Sequence, residues 1–150
     1  MTALVNVVRF GDHDLPVPTR KTDLAVGFDV QIAQDVTLYP GDTAQVGTGF
    51  GWDMPPHLGA MVIPRSGLGH KEGVVLSNLV GLIDPDYQGE VKANLWNRTE
   101  PGQNDPVRLP AGTRVAQIVL VPRIAADLAE VKDFSQVTQR GAGGHGSTGY

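Results

Sequence analysis

Glu90-Val91-Lys92-Ala93-Asn94-Leu95 is the stretch that decides the fold class. Val91, Ala93 and Leu95 alternate with Glu90, Lys92 and Asn94, the period of two that gives a strand one apolar and one polar face. Upstream, Phe28, Val30 and Ile32 repeat the pattern against Asp29 and Gln31. Residues 58–63 and 115–121 are nearly continuous apolar runs and read as more deeply buried strands. Turn signals separate these pieces: Pro40-Gly41-Asp42, Pro55-Pro56, Asp84-Pro85-Asp86, Pro101-Gly102 and Pro110-Ala111-Gly112. With nineteen glycines and eleven prolines, most pieces are too short to be helices. About ten short strands at this spacing predict an all-β antiparallel sandwich or barrel, a double-sheet jelly roll above all. Residues 125–130 form the one modest helical candidate. No repeat, linker or second domain is visible.

The chain's 150 residues fit one domain able to bury its own core. Hydrophobic content of 41% and charged content of 19% suit a globular chain and argue against disorder. A net charge of −4 leaves no basic field to attract nucleic acid or an anionic membrane. Any phosphate binding must therefore come from a local cluster, aided by a metal ion. The absence of cysteine removes disulfides, zinc–thiolate sites and thiol catalysis together. The first ten residues lack a charged region followed by a long apolar run, and no segment approaches ~18 consecutive apolar residues. The expectation is a soluble cytoplasmic protein with no nucleic-acid or membrane partner.

Three segments carry residues suited to chemistry. Pro64-Arg65-Ser66-Gly67-Leu68-Gly69 follows a buried strand that the proline stops. Ser66 is expected to cap one turn of helix, leaving free N–H groups and a hydroxyl beside the Arg65 guanidinium. That set suits a phosphate, and equally a plain turn with a surface arginine. Gly81-Leu82-Ile83-Asp84-Pro85-Asp86-Tyr87-Gln88-Gly89 places two carboxylates and a tyrosine in a hairpin-like loop. The aspartates read either as turn formers or as a water-deprotonating base beside an aromatic wall for a sugar. Asn78 offers the carbonyl and amide needed to read a base edge, or else a ladder role. The histidines show no metal-ligand spacing, and His13 and His57 read as surface loop residues.

The terminal run Arg140-Gly141-Ala142-Gly143-Gly144-His145-Gly146-Ser147-Thr148-Gly149-Tyr150 holds five glycines, an arginine, two hydroxyls and an imidazole. Glycine lets backbone N–H groups approach an anion, and arginine adds a planar fork of donors. The segment suits a phosphate-wrapping arm, and equally a solubilising tail. Residues 1–139 are expected to form the domain and 140–150 a mobile arm.

In order along the chain, five segments resemble the motifs of the dUTPase family, the trimeric dUTP pyrophosphatases. They are Val26-Gly27-Phe28-Asp29-Val30, Pro64 to Gly69, Asn78 to Gly89, Arg114-Val115-Ala116-Gln117 and Arg140 to Gly149. The resemblance covers about residues 20 to 150. It implies a jelly-roll homotrimer that hydrolyses dUTP to dUMP and diphosphate with Mg2+. It makes Asp84 the general base for a water attacking the α-phosphorus in line. It sets Tyr87 against the deoxyribose, where a ribose 2′-hydroxyl would collide. It gives uracil to Asn78 and the backbone near Leu82 and Ile83, and makes Lys92 a substrate contact. Arg65, Ser66, Gly67 and Gln117 would touch the phosphates, and Asp29 would hold a water on Mg2+. Arg140, Ser147 and Thr148 would close over the γ-phosphate, with His145 and Gly146 in the same closing motif. Each site would draw on three chains: one for Asp84 and Tyr87, one for Arg65 and Gln117, one for the arm.

Two positions depart from the family pattern. His145 stands where phenylalanine is usual, so stacking on uracil is expected to vary near pH ~6.5, where an imidazole changes charge. Val26 replaces a small alanine, with an expected effect on packing only. The alternatives are a dCTP deaminase-like enzyme and a non-catalytic dUTP-binding regulator on the same fold. Asp84, Tyr87, Arg140 and the complete terminal run argue against a dead enzyme.

Overall fold

The computed structural model describes residues 3–102 and 105–144. The first six strands are β1 (Asn6–Arg9), β2 (Thr19–Arg20), β3 (Phe28–Gln31), β4 (Val36–Leu38), β5 (Thr43–Gly47) and β6 (Phe50–Asp53). Next come β7 (Leu58–Pro64), the helix α1 (Ser66–Lys71), β8 (Val74–Leu76) and β9 (Gly81–Ile83). β10 (Lys92–Asn97), β11 (Val107–Leu109) and β12 (Arg114–Pro122) complete the set.

A five-stranded sheet runs β2-β3-β12-β7-β9 and a three-stranded sheet β5-β10-β8. Two-stranded ribbons, β1-β6 and β11-β4, flank them, and every pairing is antiparallel. Val30, Val62, Ala116 and Ile118 of the larger sheet and Val46, Leu76, Ala93 and Leu95 of the smaller one join a single buried cluster. Both alternations expected from the sequence hold. Ala93 and Leu95 are buried while Lys92 is exposed, and Val30 and Ile32 are buried while Asp29 and Gln31 are only half-buried. The end of β10 is fixed by a buried polar node. The Asn97 side chain donates to the Leu38 carbonyl at 3.0 Å and accepts from the Thr99 hydroxyl at 2.7 Å. A buried amide satisfied in this way locks register without the cost of an orphaned polar group.

The two consecutive buried residues that open the apolar run at 115–121 have a specific cause. The β12–β3 register shifts between Arg114 and Ala116, and this bulge turns both Val115 and Ala116 inward.

Four expectations are corrected. Residues 125–130 form no helix; Leu128 stands fully exposed at 101%. One amphipathic turn without a surface to pack on does not meet the cost of helix nucleation. The helix falls instead at α1, where Ser66 is its first residue and not its cap; Arg65 takes the cap position, and its side chain makes no capping hydrogen bond. The loop after Ile83 closes no hairpin. β9 pairs with β7 while β10 pairs with β5 and β8, so residues 84–91 cross between sheets. His13 is no idle surface residue. Its Nδ1 accepts from Arg9 Nη1 at 2.8 Å and from the Leu15 N–H at 3.2 Å, while Nε2 donates to the Gly49 carbonyl at 3.0 Å. Its ring meets Phe50 edge-on.

The packed body ends with β12. Residues 123–142 form an arm that leads into the terminal run and is exposed throughout, including Ile124, Leu128, Val131, Phe134 and Val137. No helix among the described residues is long and apolar enough to cross a membrane.

Candidate active site

The crossing from β9 to β10 opens a cavity of about 450 Å³. Asn78, Leu82, Ile83, Asp84, Tyr87 and Lys92 all line it, so six residues singled out from the sequence converge on one place. Its floor is apolar, built from Val62, Leu76 and Val91. Asn78 reaches it from a turn held by Leu79 N–H to Leu76 carbonyl (3.1 Å) and Val80 N–H to Asn78 carbonyl (2.7 Å). That turn puts Leu79 at φ +62°, a left-handed conformation unusual for a residue with a Cβ. Asp84 starts a turn closed by the Tyr87 N–H donating to its carbonyl at 3.1 Å. Its carboxylate is exposed and engages no hydrogen bond or ion pair among the described residues, which leaves it open as a base. The Tyr87 hydroxyl donates to the Glu90 carbonyl at 3.0 Å and folds the ring back along the loop.

A second concavity, also of about 450 Å³, lies at the end of β7. Arg65, Ser66 and Gln117 line it, and Gly67 sits beside them with nothing within 4 Å of where a Cβ would stand. Asp29 braces this ledge. It accepts from Arg65 Nε at 3.0 Å and from Arg114 Nη1 at 3.3 Å, with its side chain 21% exposed. The brace aims Arg65, whose Nη1 also donates to the Arg114 carbonyl at 3.0 Å. Gln117 Nε2 donates to the Pro64 carbonyl at 3.2 Å, and a Cβ at position 27 would collide with its Oε1, so Gly27 makes the room.

The two concavities share no lining residue. Arg140 lines neither; its Nε donates to the Gly143 carbonyl at 2.8 Å within a local turn. His145, Gly146, Ser147 and Thr148 lie outside the described residues. Val26 is 73% exposed, so it takes no part in the packed core.

Sequence reasoning missed several residues. Gln45 and Asn94 face each other across β5 and β10 and join at 2.9 Å on the wall of the first cavity. Their place opposite the apolar positions of both strands was a usable signal. Glu90 lines the same cavity, and His70 and Arg98 the second, with Arg98 Nη2 held by the Gly69 carbonyl at 3.1 Å. His70 follows Ser66 by one turn of α1 and Glu90 follows Tyr87 on the same loop, whereas Arg98 arrives only through the pairing of β10 with β8.

The family model described as dUTPase matches residues 13–149. The chain belongs to the dUTPase family. A curated relative, the deoxyuridine 5'-triphosphate nucleotidohydrolase of Hahella chejuensis, is 47% identical over 140 residues, covering 91% of this chain and 89% of the relative. The solved dUTPase of Staphylococcus bacteriophage 80alpha, a mutant with dUpNHpp, superposes with a TM-score of 0.90 at 26% identity, covering 99% of this chain and all of that one. A mutant dUTPase from phage phi11 of S. aureus, whose structure details a structural Mg(II) ion, superposes at 0.82 with 21% identity, covering 89% of this chain and all of that one. The likeness to the 80alpha protein makes the two-sheet body a dUTPase jelly roll.

Proposed function

We propose that this chain hydrolyses dUTP to dUMP and diphosphate, with Asp84 as the base. The observation that carries this reading is the convergence of Asn78, the main chain of Leu82 and Ile83, Tyr87 and an unengaged Asp84 carboxylate on one cavity. The Asn78 side chain offers uracil a donor and an acceptor together, and the adjacent main chain adds more. The Tyr87 ring packs on the deoxyribose and leaves no space for a 2′-hydroxyl. Lys92 offers an ammonium at the rim for charge on the substrate. Asp84 takes a proton from a water that attacks the α-phosphorus in line. The new P–O bond forms as the bond to the bridging oxygen breaks, and diphosphate leaves. Arg65, Ser66, Gly67 and Gln117 neutralise and orient the phosphates, the larger part of catalysis for this chemistry.

The residues present fit Mg2+ as an ion held mainly by substrate. Among the described residues no cluster of three or more His, Asp or Glu could hold a metal alone. Asp29 accepts from two arginines yet has about four lone-pair positions, so it retains capacity for a metal-bound water. Mg2+ would supply charge neutralisation on the triphosphate.

The working unit in this reading is a homotrimer with shared sites, placed in the cytoplasm. Base and phosphate residues occupy separate concavities of one chain, and the arm offers five exposed apolar residues that its own body does not cover. A second chain brings Arg65 and Gln117 to the Asp84 cavity, and a third brings residues 140–150. There Arg140, Ser147 and Thr148 close over the γ-phosphate, with His145 and Gly146 over the base.

Diphosphate release from dUTP, with and without EDTA, tests the activity. EDTA should abolish it, and Asp84→Asn should lower kcat at least ~10²-fold with affinity little changed. Ammonia from dCTP, or dUTP bound without turnover, would reject this reading. Refolding Asp84→Asn together with chains truncated after Gln139 tests the sharing. Mixed trimers should regain activity, and mixing confirmed by native mass without recovery would rule shared sites out.

A further inference from the structure

Tyr87 must stand still to sort sugars, yet it is 45% exposed on a crossing loop between two sheets. What holds it is Glu90. The Tyr87 hydroxyl donates to the Glu90 main-chain carbonyl at 3.0 Å, and the Glu90 carboxylate accepts the Gly49 N–H at 2.8 Å. Gly49 is itself fixed, at φ +75°, by the His13 contact to its carbonyl. The neighbouring residues stitch the same two segments together. The Thr48 N–H and hydroxyl both donate to the Val91 carbonyl, at 3.1 and 2.7 Å, and the Val91 N–H donates to the Phe50 carbonyl at 2.9 Å. Two glycines clear the path. A Cβ at position 47 would overlap the Glu90 carboxylate, and one at position 89 would overlap the Tyr87 phenol.

We propose that Glu90 is a positioning residue for sugar discrimination. Its carboxylate, clasped to the Gly49 amide, fixes the carbonyl that holds the Tyr87 phenol, and thereby the ring that separates deoxyribose from ribose. The inference rests on the reading of Tyr87 as the sugar wall. A carboxylate accepting a backbone N–H is roughly twice as strong as a neutral pair, which suits an anchor beside an open cavity. Without it the Gly49 N–H loses its acceptor, and the loop keeps its links to the β5–β6 turn only on the far side of the Glu90 carbonyl, at Val91.

The test is the ratio of kcat/KM for dUTP over UTP in Glu90→Ala, Glu90→Gln, Tyr87→Phe and the double variant Tyr87→Phe/Glu90→Ala. Glu90→Ala should lower the ratio about tenfold or more, since small misplacements of a positioning group are costly. Glu90→Gln should restore most of it, because its amide oxygen can still accept from Gly49. The double variant should be no worse than the worse single, as expected for two parts of one link. If Glu90→Ala does not fold, Glu90→Asp replaces it, since a one-methylene retreat breaks the clasp and keeps the charge. An unchanged ratio in a folded variant, or fully additive losses, would overturn the proposal. Wild-type protein that treats the two nucleotides alike would instead remove the Tyr87 reading, a failure visible before any Glu90 variant is made.

Discussion

The body and the arm use the same kinds of residue to opposite ends. In the body, Ile32, Leu95 and Ile118 are wholly buried; in the arm, Leu128 and Val137 are wholly exposed and Phe134 nearly so. Leaving a large apolar side chain in water forgoes about 1.5–3 kcal/mol of burial. Body strands recover it within the chain, because pairing partners far apart in sequence meet in one core. The arm has no such partner at home. Apolar pattern alone therefore does not say which molecule will cover it.

Cutting the chain after Gln139, which removes the end of the arm and keeps its apolar stretch, has the largest expected effect. The body should stay folded, with an unchanged far-ultraviolet circular dichroism spectrum, while dUTP turnover falls at least ~10³-fold, since several phosphate donors go at once. Normal turnover would make 140–150 a mere tail. Next comes a matched pair of truncations. Leu95→Ala should cost about 2–5 kcal/mol in chemical denaturation. Leu128→Ala should cost under ~0.5 kcal/mol in a monomer and more in a trimer, so its concentration dependence reports docking. Asp29→Asn should lower kcat/KM by about tenfold by unaiming Arg65, at a stability cost held to about 1 kcal/mol by partial exposure of the pair. Leu79→Gly is the mildest. Relief of its positive φ should change stability by no more than about 1 kcal/mol, measured as a small rise in Tm.

The strand pattern was legible wherever one face meets the core, as at Val30 and Ile32 or Ala93 and Leu95. The bulge at Val115 was not, because two consecutive inward residues look like an ordinary apolar run until the partner strand is known. The one helix among the described residues sits at Ser66–Lys71 and not at 125–130 for a similar reason. A Cβ on Gly69 would lie 3.2 Å from Val75, so α1 lies close on β8, whereas 125–130 has nothing of its own to lie on. Of the candidate site, the residues carried by local loops were visible from spelling: Asn78, Asp84 and Tyr87. Gln45 and Asn94 showed only as polar-face positions, and their pairing and the Glu90–Gly49 clasp needed the register.

Asp29 serves Arg65 and Arg114 together, and so ties three separate stretches of chain to one carboxylate. Such a knot shapes the routes by which descendants of this sequence can drift. Losing Arg114 first leaves Asp29 still matched by Arg65, a step a lineage can survive. Losing Asp29 first takes the shared carboxylate from two guanidiniums at once, and either later change must then be judged against that altered background. The order of substitutions matters here more than their number, and viable histories should pass through Arg114.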